Sequence, residues 1–484
     1  MSYKTLLRAA AAFFITLICW SLTNPPGSTH DEWFHLGSIW CANGVDRDHC
    51  TDRYPGGGRA DIDASSCIFP LNTEIRSCSE VLPGDYMVRS DSYPNGFYQV
   101  MKFFVPLGNS LNVLSMRVFN GLVASILLLV QIILLKPKHR TAWLSGFTLT
   151  LVPMGVFLVS SVHPSGWGLT ACAHGWMFLI TAITSDKSDR KKQIGAFVGW
   201  FLCGAMCLAS RYDIFGFFLV TSAIASIFAM APEATSKRKL SIAAILFGLA
   251  SSGFFLLSQF VAQLSLIKLF AKYPSDYNNQ TWISAWLIRA IAIPVEILGT
   301  GQIAHRGIEM PPIVWILGIA VVAPVLIFSL IGINIRQIGV LVTSVVLLFF
   351  TILWFNQLMH RDLENLNGRY IIPLLPAMIG LVIYTSKSSM QFLEIREFRL
   401  VTISILGLAH SISLHTVLDV FVDGQSFSFL PVTVGDTGWW WVGLPIGPNF
   451  VWLLGSLSFI QFLRKIWSLV PYVEPSLQAP VEKL

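Results

Sequence analysis

Charged residues are scarce in this chain. They make up 12% of its 484 residues, whereas an average soluble domain carries about 25%. The charges that are present gather between apolar runs of about 17–25 residues, the length that spans ~30 Å of hydrocarbon. The mean hydropathy of +0.63 agrees with this pattern. The composition therefore excludes a soluble globular protein and predicts an all-α polytopic membrane protein.

Other features are missing as well. The chain has no internal sequence repeat, and its predicted spans hold almost no charge, so it lacks two features that are usual in secondary transporters. No clear small-x-small cleavage site follows Trp20, which favours an uncleaved signal anchor over a removed signal peptide. These absences favour a membrane-embedded protein that carries its unusual polar residues outside the spans.

Apolar runs of spanning length number about twelve. A further run, Ile283–Gly301, contains Arg289, Pro294 and Glu296. If this run stays on the outer face as an interfacial or re-entrant helix, every basic loop and both termini face the cytoplasm, as the positive-inside rule requires. The predicted spans lie near Leu6–Leu22, Leu114–Leu135, Trp143–Val162, Trp167–Thr184, Ile194–Ala209, Ile214–Met230, Ser241–Val261, Ile313–Ile333, Val340–Phe355, Tyr370–Tyr384, Leu400–Val420 and Phe450–Leu463.

The first outer loop, residues 23–113, is the largest segment outside the predicted spans and has little apolar content. It contains half of the eight cysteines. Because they show no close Cys-x-x-Cys or Cys/His spacing, two disulfides in one of three connectivities are favoured over a metal site. We predict a single transmembrane domain over residues 1–484, with this loop stabilised by pairing among Cys41, Cys50, Cys67 and Cys78.

An acidic pair, Asp31-Glu32, follows the first span and opens that loop. Charges at a membrane boundary are costly, and a carboxylate there could deprotonate a hydroxyl or hold a metal ion beside a lipid-borne substrate. His35 lies one turn later on the same helical face as Asp31. The alternative role of the carboxylates is to stabilise a helix N-terminus. The helix in question follows the acidic pair. It is predicted to be amphipathic and interfacial from the spacing of Trp33, Phe34, Leu36, Ile39 and Trp40.

A series of short motifs continues along most of the chain. They are Pro25-Pro26 before Asp31-Glu32-Trp33-Phe34-His35, Tyr93-Pro94-Asn95-Gly96-Phe97-Tyr98, Arg117 with Asn120, Pro153-Met154 with Ser161-Val162-His163-Pro164, and Gly368-Arg369-Tyr370-Ile371-Ile372-Pro373. Their order resembles an uncharacterised family of bacterial polytopic membrane proteins of the GT-C glycosyltransferase superfamily. Where that family usually has an Asn-Pro-Asp-like stretch, this chain has His163-Pro164-Ser165.

The resemblance implies a GT-C-like fold and an inverting glycosyltransferase. Such an enzyme moves a sugar from a polyprenyl-phosphate donor to a glycan or lipid acceptor of the cell envelope. The reaction takes place on the outer face of the plasma membrane. An acidic residue of the first outer loop acts as base, or helps to bind a divalent metal such as Mg or Mn, for which Asp31 is the candidate. No nucleic acid is expected as a partner.

We assign predicted roles on this basis. The catalytic candidates are Asp31, Glu32 and His35, and the donor phosphate candidates are Arg369, Tyr370, Arg117 and His163. Arg369 has a second interpretation as an interfacial anchor, and Arg211 with Asp213 is predicted to form a local ion pair. The candidate contacts to the acceptor or sugar are Trp33, Tyr93, Tyr98 and Trp440.

Two other classes of function remain alternatives. One is a transporter or flippase for a lipid-linked glycan, and the other is a non-catalytic scaffold for envelope assembly whose first loop binds a partner. Catalysis of sugar transfer from a defined donor would distinguish the enzyme from both alternatives.

Overall fold

The computed structural model describes residues 3–29, 31–40, 42, 93–107, 111–185, 189–229, 297, 308, 310–359, 368–422, 431–432, 439–441 and 444–470. Within these ranges the chain is helical and contains no strand. The helices are α1 Tyr3–Leu22, α2 Glu32–Trp40, α3 Asn95–Met101, α4 Leu111–Leu134, α5 Pro137–Thr150, α6 Pro153–Val159, α7 Pro164–Thr184, α8 Arg190–Ser210, α9 Tyr212–Ala229, α10 Pro312–Ser329, α11 Ile335–Met359, α12 Leu375–Thr385, α13 Lys387–Glu394, α14 Arg396–Val422 and α15 Pro448–Trp467. Short 3-10 helices cover Lys102–Leu107, Gly368–Tyr370 and Ile372–Leu374.

Seven helical segments of the described ranges are long and apolar enough to cross a membrane, and the bent pair α5–α6 raises this to eight. The polytopic helical class is therefore confirmed. The predicted number of twelve spans and the GT-C-like arrangement stay predictions, and the run Ser241–Val261 and most of Ile283–Gly301 lie outside the described residues. The seven segments are Tyr3–Leu22, Leu111–Leu134, Pro164–Thr184, Arg190–Ser210, Pro312–Ser329, Gly368–Thr385 and Arg396–Val422.

Hydrogen bonds between helix ends give the bundle two distinct ends: Arg117, near the start of α4, donates to Ser21 O near the end of α1, and Asn334, just before α11, donates to Thr385 O at the end of α12. One end, which we call the basic end, carries Lys4, Arg8, Lys136, Arg190, Arg336, Arg396, Arg464 and Lys465. Hydrogen bonds close this end: Lys136 Nζ donates to Thr184 O at 2.7 Å, and Arg399 Nη1 donates to Val470 O at 3.3 Å. At the opposite end, which we call the site end, α1 stops and α4, α7, α9 and the Gly368–Tyr370 turn begin.

One predicted span is broken. The sequence predicts a single crossing over Trp143–Val162, but the chain bends by 91° between α5 and α6. The physical reason is Pro153, which has no N–H to continue the ladder and instead occupies the first turn of a new helix, where its fixed φ is compatible. The predicted span is therefore present as a bent pair of helices and not as one continuous helix. The bend directs α6 sideways and delivers the Ser160–His163 turn into the site end.

Small residues let the helices of the core approach closely. A Cβ added at Gly146 of α5 would lie 2.7 Å from the Gly380 Cα on α12, and one added at Gly380 would lie 2.4 Å from the Trp176 ring. Without a hydrophobic driving force between helices in lipid, such backbone contact supplies the van der Waals packing that holds a bundle together. The packed core therefore continues from α5 through α12 to α7 and supports the helices whose ends form the site end.

Candidate functional site

Glu32 and Arg117 form a buried ion pair at the site end. The Arg117 guanidinium donates to the Glu32 carboxylate from Nε at 2.9 Å and from Nη2 at 2.5 Å, and both side chains have an exposure of 0%. Its other N–H groups donate to backbone carbonyls at 2.8–3.0 Å, so every donor of the guanidinium is used. These carbonyls belong to Ser21, Asn24 and Pro25.

Glu32 also collects backbone donors from two separate loops. Its carboxylate accepts from Gly27 N at 2.9 Å and from Val162 N at 3.0 Å. The pair therefore ties the exit of α1, the start of α2, helix α4 and the turn before α7 to one another. Glu32 was predicted to be catalytic and Arg117 to bind phosphate. In this conformation both are occupied within the protein, and we assign them to the framework of the site.

Asp31 turns away from Glu32 and pairs with a different arginine. Its Oδ2 lies 2.8 Å from Nη2 of Arg369. The Asp31 side chain is 37% exposed, whereas that of Arg369 is 5% exposed. Asp31 also has a φ of 56°, in the left-handed region that residues with a Cβ adopt at a cost and that is frequent at functional sites. Each carboxylate of the acidic pair thus has its own arginine, and Asp31 is the one that reaches the surface.

The Tyr370 ring lies beside two guanidinium groups. The Cζ of Arg369 is 5.0 Å from the ring centroid and the Cζ of Arg211 is 4.9 Å from it. Arg369 Nη2 also donates to the Tyr370 hydroxyl at 3.1 Å. Cations at this distance from an aromatic face are attracted by its quadrupole. Tyr370 therefore contacts two positive side chains, both of them buried.

Arg211 connects the α8–α9 corner to the start of α7. It forms a bidentate ion pair with Asp213, at 3.0 Å from Nε and 2.6 Å from Nη2, which confirms the predicted local pair. Its Nη1 donates to Ser165 Oγ at 3.2 Å. Burial lowers the pKa of Arg211, but the Asp213 carboxylate together with Tyr93 and Tyr370 outweighs burial and raises that pKa above its ordinary value. The guanidinium is therefore charged throughout the physiological range.

Two buried histidines contact each other next to Arg211. The ring centroids of His35 and His163 are 4.5 Å apart, and His35 Nδ1 lies 3.0 Å from the Tyr98 hydroxyl. Burial, with a smaller contribution from the charge of Arg211, lowers the pKa of His35 to about 3. Burial and then the neighbours His35 and Arg211 lower the pKa of His163 well below its ordinary value. Both rings are therefore neutral near pH 7.

The tautomer of His163 follows from its role at the start of α7. Its Nδ1 accepts the backbone N–H of Ser165 at 3.0 Å and so caps the helix. A neutral imidazole that accepts at Nδ1 carries its proton at Nε2. That buried Nε2–H has no hydrogen-bond partner among the described residues.

Two tyrosines of the Tyr93–Tyr98 motif line the same site. Tyr98, on α3, is buried, and the Tyr93 ring meets the His35 ring at 5.2 Å. Burial is the main cause that raises the pKa of Tyr93 to about 12 and that of Tyr98 above its ordinary value. Both phenols are therefore neutral and can donate or accept hydrogen bonds. We call the following set the polar cluster: Asp31, His35, Tyr93, Tyr98, His163, Ser165, Arg211, Asp213, Arg369 and Tyr370.

The remaining predicted site residues lie elsewhere or cannot be placed. Trp440 contacts Trp439 and Phe421, with centroids at 5.0 and 6.2 Å, so its described ring contacts are with aromatic residues next to α14. The Trp33 side chain lies outside the described residues, as do the loop cysteines Cys41, Cys50, Cys67 and Cys78. The predicted disulfides therefore stay a prediction.

The polar cluster does not suit a divalent metal. Asp31 is paired with Arg369, and Arg211 adds a second positive charge, so a further cation would be repelled. Nowhere in the described ranges do three His, Cys, Asp or Glu side chains come together in a way that could hold a metal ion. We therefore derive no chemistry from a metal at Asp31.

The structure adds Arg211, Asp213 and Ser165 to the residues predicted for the site. The sequence signal for the first two was present, because an arginine and an aspartate two residues apart separate two apolar runs. In the sequence this signal indicates only a local ion pair. Nothing in the sequence shows that this corner packs against Ser165, which lies 46 positions earlier.

The fold and the polar cluster together define a polytopic helical membrane protein with a buried, arginine-containing site at one end of its bundle. A family model described as "Predicted membrane protein (DUF2142)" matches residues 14–378, a range that includes the entire polar cluster. The chain belongs to this family, which confirms the expected membrane-protein family, while membership of the GT-C superfamily stays a prediction. No curated protein and no solved structure matches the chain.

Proposed function

We propose that this protein is a membrane glycosyltransferase. It moves a sugar from a polyprenyl-phosphate donor to a glycan or lipid acceptor with inversion at the anomeric carbon. The observation that carries the proposal is Asp31: a partly exposed carboxylate at a left-handed backbone position, 2.8 Å from a buried arginine. A site at the end of a spanning bundle is accessible to a lipid-borne donor from the membrane and to an acceptor from the aqueous side.

Asp31 is the general base in this reaction. Its carboxylate takes the proton of the acceptor hydroxyl, whose oxygen forms a bond to the anomeric carbon. The bond from that carbon to the phosphate oxygen breaks at the same time, and the leaving phosphate takes the electron pair. Attack opposite the leaving group inverts the configuration. A positioned base of this kind contributes about 10²–10⁴ in rate.

Arg369 and Tyr370 bind the donor phosphate. A phosphate is a better partner for a guanidinium than a single carboxylate oxygen, because it offers several charged acceptor oxygens in bidentate geometry. The phosphate then competes with Asp31 for Arg369 and releases the carboxylate to act as base. The neutral ring of His35 and the phenols of Tyr93 and Tyr98 form the wall against which sugar hydroxyls are placed.

The distribution of charge supports an extracytoplasmic site. Apart from Lys102, Arg117, Arg211 and Arg369, the lysines and arginines of the described loops and helix ends gather at the basic end, opposite the polar cluster. Cytoplasmic loops carry such an excess of basic residues. We therefore place the site on the outer face of the plasma membrane and the N-terminus in the cytoplasm.

Mass spectrometry of lipid extracts tests the function. A deletion strain should accumulate one lipid-linked sugar, and purified protein should transfer that sugar from the extracted lipid to an acceptor fraction. A strain complemented with Lys192→Gln, which alters an exposed ion pair at the basic end, serves as the matched control and should resemble the wild type. If no lipid-linked sugar accumulates and the purified protein transfers none, the proposal is wrong.

A further inference from the structure

Arg211 has more hydrogen-bond donors than the protein uses. It makes two bonds to Asp213 and one to Ser165, which leaves one N–H on Nη1 and one on Nη2 without a partner among the described residues. Arg117, at the same end of the bundle, differs from Arg211, because each of its five N–H donors has an acceptor. The fold can therefore satisfy a buried arginine fully, and at Arg211 it does not.

Two further donors lie near Arg211, one on Ser165, which contacts it directly, and one on His163, which its charge reaches. The Ser165 hydroxyl accepts from Arg211, and its own proton has no acceptor within the described ranges. The Nε2–H of His163, two residues earlier, is buried and has no partner there either. Buried donors without acceptors are costly and are usually satisfied by a bound group. A ligand that offers several acceptor oxygens would satisfy all three side chains.

The position of Arg369 indicates what that ligand is. The Cζ atoms of Arg211 and Arg369 lie 4.9 and 5.0 Å from the same Tyr370 centroid. The separation of these two Cζ atoms therefore cannot exceed the sum of the two distances. Two linked phosphates can bridge two guanidinium groups at such a separation, with each phosphate facing one arginine.

We propose that Arg211, Ser165 and His163 form a second phosphate subsite beside Arg369, and that the donor is therefore a lipid diphosphate sugar. This inference rests on the proposed function. In the transfer step the bond between the anomeric carbon and the near phosphate breaks, and the lipid diphosphate leaves with the electron pair. Arg369 binds one phosphate and the Arg211 subsite binds the other.

Two variants isolate the subsite. His163→Asn keeps an oxygen that can cap α7, because asparagine is a favoured N-cap residue, and removes the Nε2–H donor together with the ring that contacts His35. Arg211→Gln combined with Asp213→Asn removes the cationic donor without leaving the carboxylate unpaired. Lys192→Gln at the exposed Asp189 pair is the matched control.

Ligand binding to the purified full-length protein in detergent tests the proposal, with farnesyl diphosphate and farnesyl monophosphate as probes. The wild type should bind the diphosphate at least about tenfold more tightly, as expected for added charge-assisted hydrogen bonds. The Arg211/Asp213 double variant should reduce this ratio to about one while leaving monophosphate affinity within about twofold, and His163→Asn should reduce it several-fold. Lys192→Gln should keep the wild-type ratio.

Equal affinity of the wild type for both probes, or an unchanged ratio in the double variant, would overturn the second subsite and leave the proposed transferase intact. Failure of the wild type to bind either lipid would instead contradict the proposed donor class as a whole.

Discussion

The ion pair between Glu32 and Arg117 should determine whether the site end folds. Glu32→Gln keeps the shape of the side chain and an acceptor oxygen, but it leaves the Arg117 guanidinium buried with no counter-charge. Removing one member of a buried pair costs about 3–5 kcal/mol, because the remaining charge is desolvated and unpaired. The loss falls on four segments together, since the carboxylate and guanidinium join Ser21–Pro25, α2, α4 and Val162.

Thermal unfolding of the purified protein in detergent measures this effect. We expect Glu32→Gln to lower the apparent unfolding temperature by several degrees and to lower the yield from membranes, with loss of activity only in proportion to the folded fraction. Asp189→Asn is the control, because it removes a carboxylate from an exposed pair whose side chains are 47% and 42% exposed. That change should alter stability by less than about 1 kcal/mol.

A Glu32→Gln protein that melts like the wild type would show that this ion pair does not support the fold. Full stability with abolished sugar transfer would show that Glu32 takes part in the chemistry and that the framework role is mistaken.

Acidification should destabilise the folded chain through His35. Its pKa is about 3 when folded and 6.5 when free, so between these values the unfolded state binds the extra proton, and His35 alone should lower the unfolding free energy by about 1.4 kcal/mol for each pH unit below 6.5. Melting curves across pH check this, and His35→Gln should reduce the slope by that amount while the contribution of His163 remains. Gly146→Ala should lower the unfolding temperature, since its Cβ would meet Gly380 Cα at 2.7 Å, whereas Gly216→Ala, whose Cβ meets nothing within 4 Å, should be tolerated. Non-reducing peptide mapping should find the four loop cysteines paired among themselves, namely Cys41, Cys50, Cys67 and Cys78. Four free thiols would contradict the predicted disulfides.

The sequence predicted the class of fold because spanning helices are specified by composition over about 20 residues. It could not predict the bend before Pro153 with the same certainty, since a proline is compatible both with a kinked span and with the first turn of a new helix. A run such as Trp143–Val162 is apolar whether it forms one kinked helix or two helices. Which of the two forms depends on the hydrogen bonds that the turn after it can make. Here the Ser160–His163 turn is held by Glu32 and Asn120.

The candidate site was likewise predictable only in part. The motifs around Asp31, Tyr93, Arg117, His163 and Arg369 identified positions that the fold brings to one end of the bundle. Their roles could not be read from the motifs, because an arginine in a sequence does not show how many of its donors are already used. Arg117 and Arg211 have the same side chain, and only the packing separates the saturated one from the one with donors to spare.

The rate of sugar transfer by Asp31→Asn is the most direct test of the proposed function. Asparagine tolerates the left-handed φ of this position and keeps an oxygen for Arg369, so folding and donor binding should be preserved. It cannot take a proton from the acceptor, and the transfer rate measured with purified protein should fall by about 10²–10⁴. The melting temperature should fall less than in Glu32→Gln, because Asp31 is 37% exposed, and the donor affinity should not be reduced. Full transfer by the Asp31→Asn protein would show that Asp31 is not the base.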